Sequence, residues 1–156
     1  MYYPDGSEMQ FFEIHAVAIG WLEQDYPYAR GPVSSDVVER LRHFEETGWT
    51  MLGMLGFHVC EFCEAEGAQR PAVCNTQHYI PAGDRLYIAP QMIRHYIEAH
   101  GYAPPAEFCE ALLHCPLPGD DEYNLQLTPH LTEFLKEDLA FITELHRREL
   151  APKKAI

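Results

Sequence analysis

Gly56-Phe-His-Val-Cys60-Glu-Phe-Cys63, followed further along by His95-Tyr-Ile-Glu-Ala-His100, decides how this chain of 156 residues is read. Cys60 and Cys63 stand two residues apart, and in a knuckle turn both sulfurs can point at one ion about 2.3 Å away. His95 and His100 form an H-x4-H pair, inside the H-x3–5-H spacing of tetrahedral zinc sites. On an ideal helix they differ by about 140° of rotation. Both reach one ion only if His100 sits in a last, loosened turn, and Gly101 marks where that turn ends. Two thiolates and two imidazoles suit Zn²⁺, whereas calcium and magnesium want oxygen.

Between the two pairs, Val73–Ile80 and Arg85–Ala89 flank Pro81-Ala-Gly-Asp84, a hairpin signal. The order of knuckle, β-hairpin and ligand-bearing helix predicts an α+β fold. It is a single small domain with a treble-clef-like core and additional helices. Pro90 is expected to open the helix that carries the histidines. Upstream, Phe11–Leu22 reads as one or two strands, and residues 1–10 as irregular. Ser34 or Ser35 caps a helix running through Val37, Val38, Leu41 and Phe44, stopped at Gly48. The apolar run Met51–Gly56 stays unassigned. Downstream, Pro104–Leu113 reads as a helix and Pro116–Asp121 as a loop. Thr128-Pro129 is expected to open a final helix with the stripe Leu131, Phe134, Leu135, Leu139, Ile142 and Leu145. Residues 1–128 thus read as a zinc-binding domain. Residues 129–156 read as an amphipathic helix and frayed tail, packed on that domain or on a partner.

Other ligand choices stay open. In a strand, His58 faces the same side as Cys60 and offers a third ligand, or else a neighbouring packing residue. Cys74, Cys109 and Cys115 lack a paired spacing. Cys109 reads as a small core hydrophobe. His114 with Cys115, and His78 on the hairpin, are second choices.

Composition narrows the role. Eleven basic against twenty-four acidic side chains give a formal charge of −13. Nucleic acids and anionic membranes are bound by Lys and Arg, so neither is expected as a partner. A protein partner meeting an acidic surface is compatible with it. No apolar run approaches the about 18 residues of a membrane span. The start, Met-Tyr-Tyr-Pro-Asp-Gly, lacks the basic-then-apolar pattern of a secretory signal. Five cysteines, an odd number, fit a reducing compartment better than a disulfide framework, so a cytoplasmic protein is expected. P-loop, dinucleotide-binding and Ser/His/Asp signatures are absent.

The same residues resemble an uncharacterised family of small bacterial proteins. The resemblance rests on Gly56–Cys63, Leu86-Tyr-Ile-Ala-Pro90 and His95-Tyr-Ile-Glu-Ala-His-Gly-Tyr-Ala-Pro-Pro-Ala-Glu-Phe108, with Ile19-Gly-Trp-Leu22 in support. It spans about residues 15–118 and implies a small cytosolic protein with Cys60, Cys63, His95 and His100 as its polar positions. It carries no activity.

Three functions compete. A closed four-ligand zinc site serves structure and leaves a binding or interaction module, with a homodimer through the last helix as one outcome. A zinc hydrolase needs three ligands, a water and a carboxylate base, for which Glu61, Glu64 and Glu98 are placed. A dithiol redox protein would use Cys60 and Cys63. Such pairs usually sit at a helix amino terminus, which lowers a thiol pKa, but here Glu61 and Glu64 flank the thiols and should raise it, and no βαβ pattern surrounds the motif.

Overall fold

The computed structural model describes residues 1–51 and 56–151. Most of the unassigned run 51–56 and the expected tail 153–156 lie outside them. The chain forms one α+β domain with six α-helices among the described residues, a four-stranded mixed sheet, a two-stranded ribbon and a Cys/His cluster.

The main sheet is built from two hairpins. Strands β1 (Glu8–Phe11) and β2 (Ile14–Ala18) pair antiparallel, from Glu8 opposite Val17 to Phe11 opposite Ile14. Residues 1–10, expected to be irregular, therefore contain a strand. Its signal is hidden because the two turn residues, Phe12 and Glu13, both have positive φ. Tight hairpin turns demand that conformation, but they normally advertise it with Asn or Gly.

The second hairpin lies where it is expected, with other bounds: Val73–Cys74 is a separate strand paired with His58–Val59, and Pro81 and Ala82 belong to the hairpin strand rather than to its turn. After the short β3 (His58–Val59), helix α2 (Glu61–Ala65) and β4 (Val73–Cys74), strands β5 (Gln77–Ala82) and β6 (Arg85–Pro90) pair around a Gly83–Asp84 turn. The sheet order is β1-β2-β6-β5, with β2 and β6 parallel at its centre, while β3 pairs with β4 apart from it. Pro81 is tolerated inside β5 because β5 is an outer strand.

Helix α1 (Ser35–Glu46) starts as read, with Ser34 Oγ accepting from the Asp36 N–H at 3.2 Å. Pro90, however, is the last residue of β6 and not the first of a helix. Helix α3 (Ile93–His100) begins three residues later, because the Pro90 ring can also end a strand whose N–H is not needed. Gly20 lets α3 close onto the sheet. Its φ is +73°, and a Cβ there would stand 3.1 Å from the Ile93 side chain. The adjoining Trp21 Nε1–H donates to the Ile88 carbonyl at 2.9 Å, tying this crossing to β6.

Helix α4 (Ala106–His114) buries Phe108 and Leu112. The expected loop then gives way to α5 (Asp121–Leu127), a helix that the sequence does not predict. At seven residues it is too short to show a helical period. Its Tyr123 is buried and donates to the Tyr79 carbonyl of β5 at 2.7 Å. Thr128–His130 is a 3₁₀ turn, and the last helix, α6 (Glu133–Leu150), starts later than expected, capped by Thr132 Oγ1 on the Leu135 N–H. Leu131, Leu135 and Leu139 are buried and Ile142 half-buried, but Phe134, Phe141 and Leu145 face outward.

His78 on β5 is buried, its ring edge-on to Phe44 at 5.8 Å. Burial pulls its pKa down to about 4 from an ordinary 6.5. The folded chain therefore holds His78 neutral down to about pH 4, while the unfolded chain protonates it near pH 6.5. This contribution to stability is complete above pH 6.5 and is lost as pH falls towards 4, about 3 kcal/mol in all. Urea denaturation at pH 7 and 4.5 should show a larger acid loss for the wild type than for His78→Gln. Equal losses would mean that His78 protonates without penalty.

Candidate metal centre

Two separate segments deliver the four side chains. The first is anchored by the β3–β4 ribbon, in which His58 lies opposite Cys74 and Val59 opposite Val73. The Cys60 N–H then donates to the Ala72 carbonyl at 2.8 Å. Cys60 is the N-cap of α2 and Cys63 lies in its first turn, so the CxxC wraps a helix start and both thiols emerge on one side. The second segment is α3, which ends at His100. Gly101 caps it in the left-handed conformation, φ 66°, and the Tyr102 N–H returns to the Tyr96 carbonyl at 3.1 Å. His100 is thus in the final turn, where the five-residue spacing from His95 can close on one point.

The ligand atoms of Cys60, Cys63, His95 and His100 all lie within 4.8 Å of one another, and the cluster can hold a metal ion. His100 Nε2 is 3.4 Å from Cys60 Sγ, 3.4 Å from Cys63 Sγ and 3.2 Å from His95 Nε2. Cys63 Sγ is 3.2 Å from His95 Nε2. A tetrahedral ion with bonds of about 2.3 Å to sulfur and 2.0–2.1 Å to nitrogen separates its ligands by about 3.3–3.8 Å. The observed spacings are close to those edges. Cys60 and His100 are buried, while Cys63 and His95 are half-exposed.

The surroundings hold the set in place. Phe62, inside the CxxC, packs on His100 at 5.3 Å, on Tyr28 at 5.3 Å and on Tyr96 at 5.8 Å. The Tyr28 hydroxyl and the Arg30 guanidinium both donate to the His100 carbonyl, at 2.8 and 3.1 Å. Glu66 places a carboxylate oxygen 3.5 Å from His100 Nδ1, the ring nitrogen facing away from the cluster. Carboxylates in that position orient metal-binding imidazoles. Nothing in the sequence singles Glu66 out among its acidic neighbours. Burial, with the neighbouring His100 and Arg94, lowers the His95 pKa, favouring the neutral ring a metal requires.

The alternatives fall elsewhere. His58 Nε2 meets the Tyr96 hydroxyl at 3.1 Å and is not part of the cluster. Cys74 is buried on β4, and His78 lies against Phe44. His114 Nδ1 donates to the Glu110 carbonyl at 2.9 Å, and the Cys115 carbonyl accepts from Arg40. Cys109 is half-buried on α4. Of the candidate bases, Glu61 accepts from the Gln24 N–H at 2.9 Å and Glu98 from Arg94 at 2.7 Å, while Glu64 is exposed. Cys60 stands at a helix amino terminus, where redox pairs usually sit. The α2 helix is only five residues long, and Glu61 and Glu64 in its first turn oppose the effect of its amino terminus on a thiol.

No helix of the described residues is long and apolar enough to cross a membrane. Neither the curated proteins nor the solved structures offer a match to this chain. Residues 1–113 do match a domain of unknown function, DUF7919. That match takes in the knuckle, the hairpin and the helix bearing both histidines, and covers well over half the sequence, so the chain belongs to the DUF7919 family.

Proposed function

We propose that Cys60, Cys63, His95 and His100 bind one Zn²⁺ in a closed structural site, and that the domain acts as a non-enzymatic interaction module. The observation that carries this reading is the convergence of two thiols and two imidazole Nε2 atoms from separate segments within 4.8 Å. Borderline-soft nitrogen and sulfur donors favour zinc over oxygen-seeking cations. Knuckle, β5–β6 hairpin and α3 succeed one another in the order of a treble-clef-like module. The ion would join the β3–α2 segment to α3 and supply folding energy to both. Four protein ligands leave no position for a reacting water. The charge of −13 suits a basic protein partner better than nucleic acid, in a cytoplasmic setting.

The coordination reading predicts about one zinc per chain by elemental analysis of protein purified without added metal. Cobalt-substituted protein should show tetrahedral absorption with thiolate charge transfer, unchanged by azide. A spectral shift on adding azide would establish an open position and favour the hydrolase.

A further inference from the structure

We infer that strand β1 docks a second copy of this chain, β1 against β1 in antiparallel pairing about a two-fold axis at Met9, which joins the two sheets into one. The two edges of the sheet differ. The β5 edge is closed by α5, whose Tyr123 hydroxyl donates to the Tyr79 carbonyl at 2.7 Å. The β1 edge has no strand beside it among the described residues. Across the two-residue turn, Phe11–Ile14 and Met9–Ala16 are the hydrogen-bonded pairs of the β1–β2 hairpin, and the Ala18 N–H reaching the Ser7 carbonyl at 2.9 Å continues that pattern. The N–H and carbonyl groups of Glu8 and Gln10 therefore point away from β2. Among the described residues they meet no backbone partner, and both side chains are exposed. Such an edge is a template for another strand.

The free groups select both the register and the occupant. Outward-facing residues must meet outward-facing residues to form hydrogen-bonded pairs. Only a register centred on Met9 uses Glu8 and Gln10 of both copies, each Glu8 lying opposite Gln10 of the second copy. Each carboxylate then faces a carboxamide that can donate to it, whereas a register centred on Glu8 would oppose two carboxylates. The Met9 register also brings each hairpin tip level with Gly6 of the other copy, where nothing lies within 4 Å of the place a Cβ would take. Phe12 stands at that tip, 57% exposed and at φ 48°. A bulky residue adopts that conformation at a cost, and Asn or Gly would serve the turn better. A contact outside its own chain accounts for the ring. The formal charge of −13 opposes association, but it is screened beyond about 8 Å at physiological ionic strength. The pair should therefore tighten with added salt, whereas a basic strand from another protein would be released by it.

Full-length protein as purified would be sedimented from micromolar to millimolar concentration, with amide hydrogen exchange followed at both ends of the range. A dimer is expected at the upper end, with the Glu8 and Gln10 amides slowed about tenfold or more and the Met9 and Phe11 amides protected throughout. Gln10→Lys should tighten the dimer and Gln10→Glu weaken it, each by about tenfold over the two symmetric pairs. Gln126→Lys, the same charge change far from the edge, should leave it unmoved. Phe12→Gly should raise the melting temperature of the monomer and still loosen the dimer, opposite effects that a turn residue alone cannot give. Protein that stays monomeric at millimolar concentration would overturn the proposal and leave the β1 edge to a strand of another protein. So would a dimer whose Glu8 and Gln10 amides exchange freely, one that Gln10→Glu and Phe12→Gly leave intact, or one that Gln126→Lys tightens as much as Gln10→Lys.

Discussion

Cys60→Ala is expected to abolish stoichiometric zinc binding and to lower stability on the order of 4 kcal/mol, or about 10 °C in Tm for a domain of this size. The size of the effect stems from how little else holds the knuckle. Strands β3 and β4 are two residues each, and α2 buries none of its own residues. Phe62 supplies the main apolar contact of that helix, and it rests on His100, which the metal itself would hold. The rest of the sheet has its own core around Ile14, Ile80, Leu86 and Ile88, so the variant should lose the knuckle first and stay partly folded. Cys63→Ala, His95→Ala and His100→Ala should behave alike. Cys109→Ala and Cys115→Ala should keep full metal content, because neither side chain belongs to the cluster. Metal analysis together with thermal melts checks all six variants. A Cys60→Ala protein that retains one zinc per chain would sink the assignment.

The cluster is legible in the sequence because ligand spacing is local. A CxxC turn and a histidine pair at a helix end are each written in a few consecutive residues, and Gly101 marks the end of the second. The β5–β6 hairpin is legible for the same reason. Other features depend on partners distant in sequence. Nothing local says that β2 runs parallel beside β6, or that a strand precedes the turn at Phe12–Glu13. Helix α5 is recognisable only through Tyr123, whose hydroxyl finds the β5 carbonyl across forty-four residues. Reading α6 as one apolar stripe is also too generous. Leu135 and Leu139 lie inward with Thr143, but Phe134 is 72% and Phe141 64% exposed. Buried Thr143 takes the place a hydrophobic residue is expected to fill, because its hydroxyl can receive the Asn124 amide N–H at 3.0 Å and donate to the Leu139 carbonyl at 2.8 Å. Polar partners of that kind leave no trace in a hydrophobic pattern.

Deleting residues 128–156 is expected to abolish cooperative unfolding even when zinc is bound. The matched family region ends at residue 113, before α5, so the truncation asks whether the C-terminal helices are an addition to the domain or part of its core. The packing argues for the core. Leu131, Leu135 and Leu139, all within the deleted segment, are buried, Asn124 bonds Thr143, and Asp121 pairs with Arg147. Each buried leucine lost costs about 2–5 kcal/mol on the usual scale for truncation to alanine, and their sum rivals the whole stability of a domain. Removal would also uncover α5 and Tyr123, which seals the outer edge of β5. The milder Leu139→Ala should lower stability by about 2–4 kcal/mol while leaving zinc content intact. A homodimer through the outward row of Phe134, Phe141 and Leu145 predicts the opposite pattern. In that case the truncated chain would stay folded and metal-loaded but run as a monomer in light scattering, and the intact chain would run as a dimer. A full-length protein that is monomeric at high concentration would remove the dimer. A truncated chain that still melts in one sharp transition would show that α6 contributes less to the core than its buried leucines require.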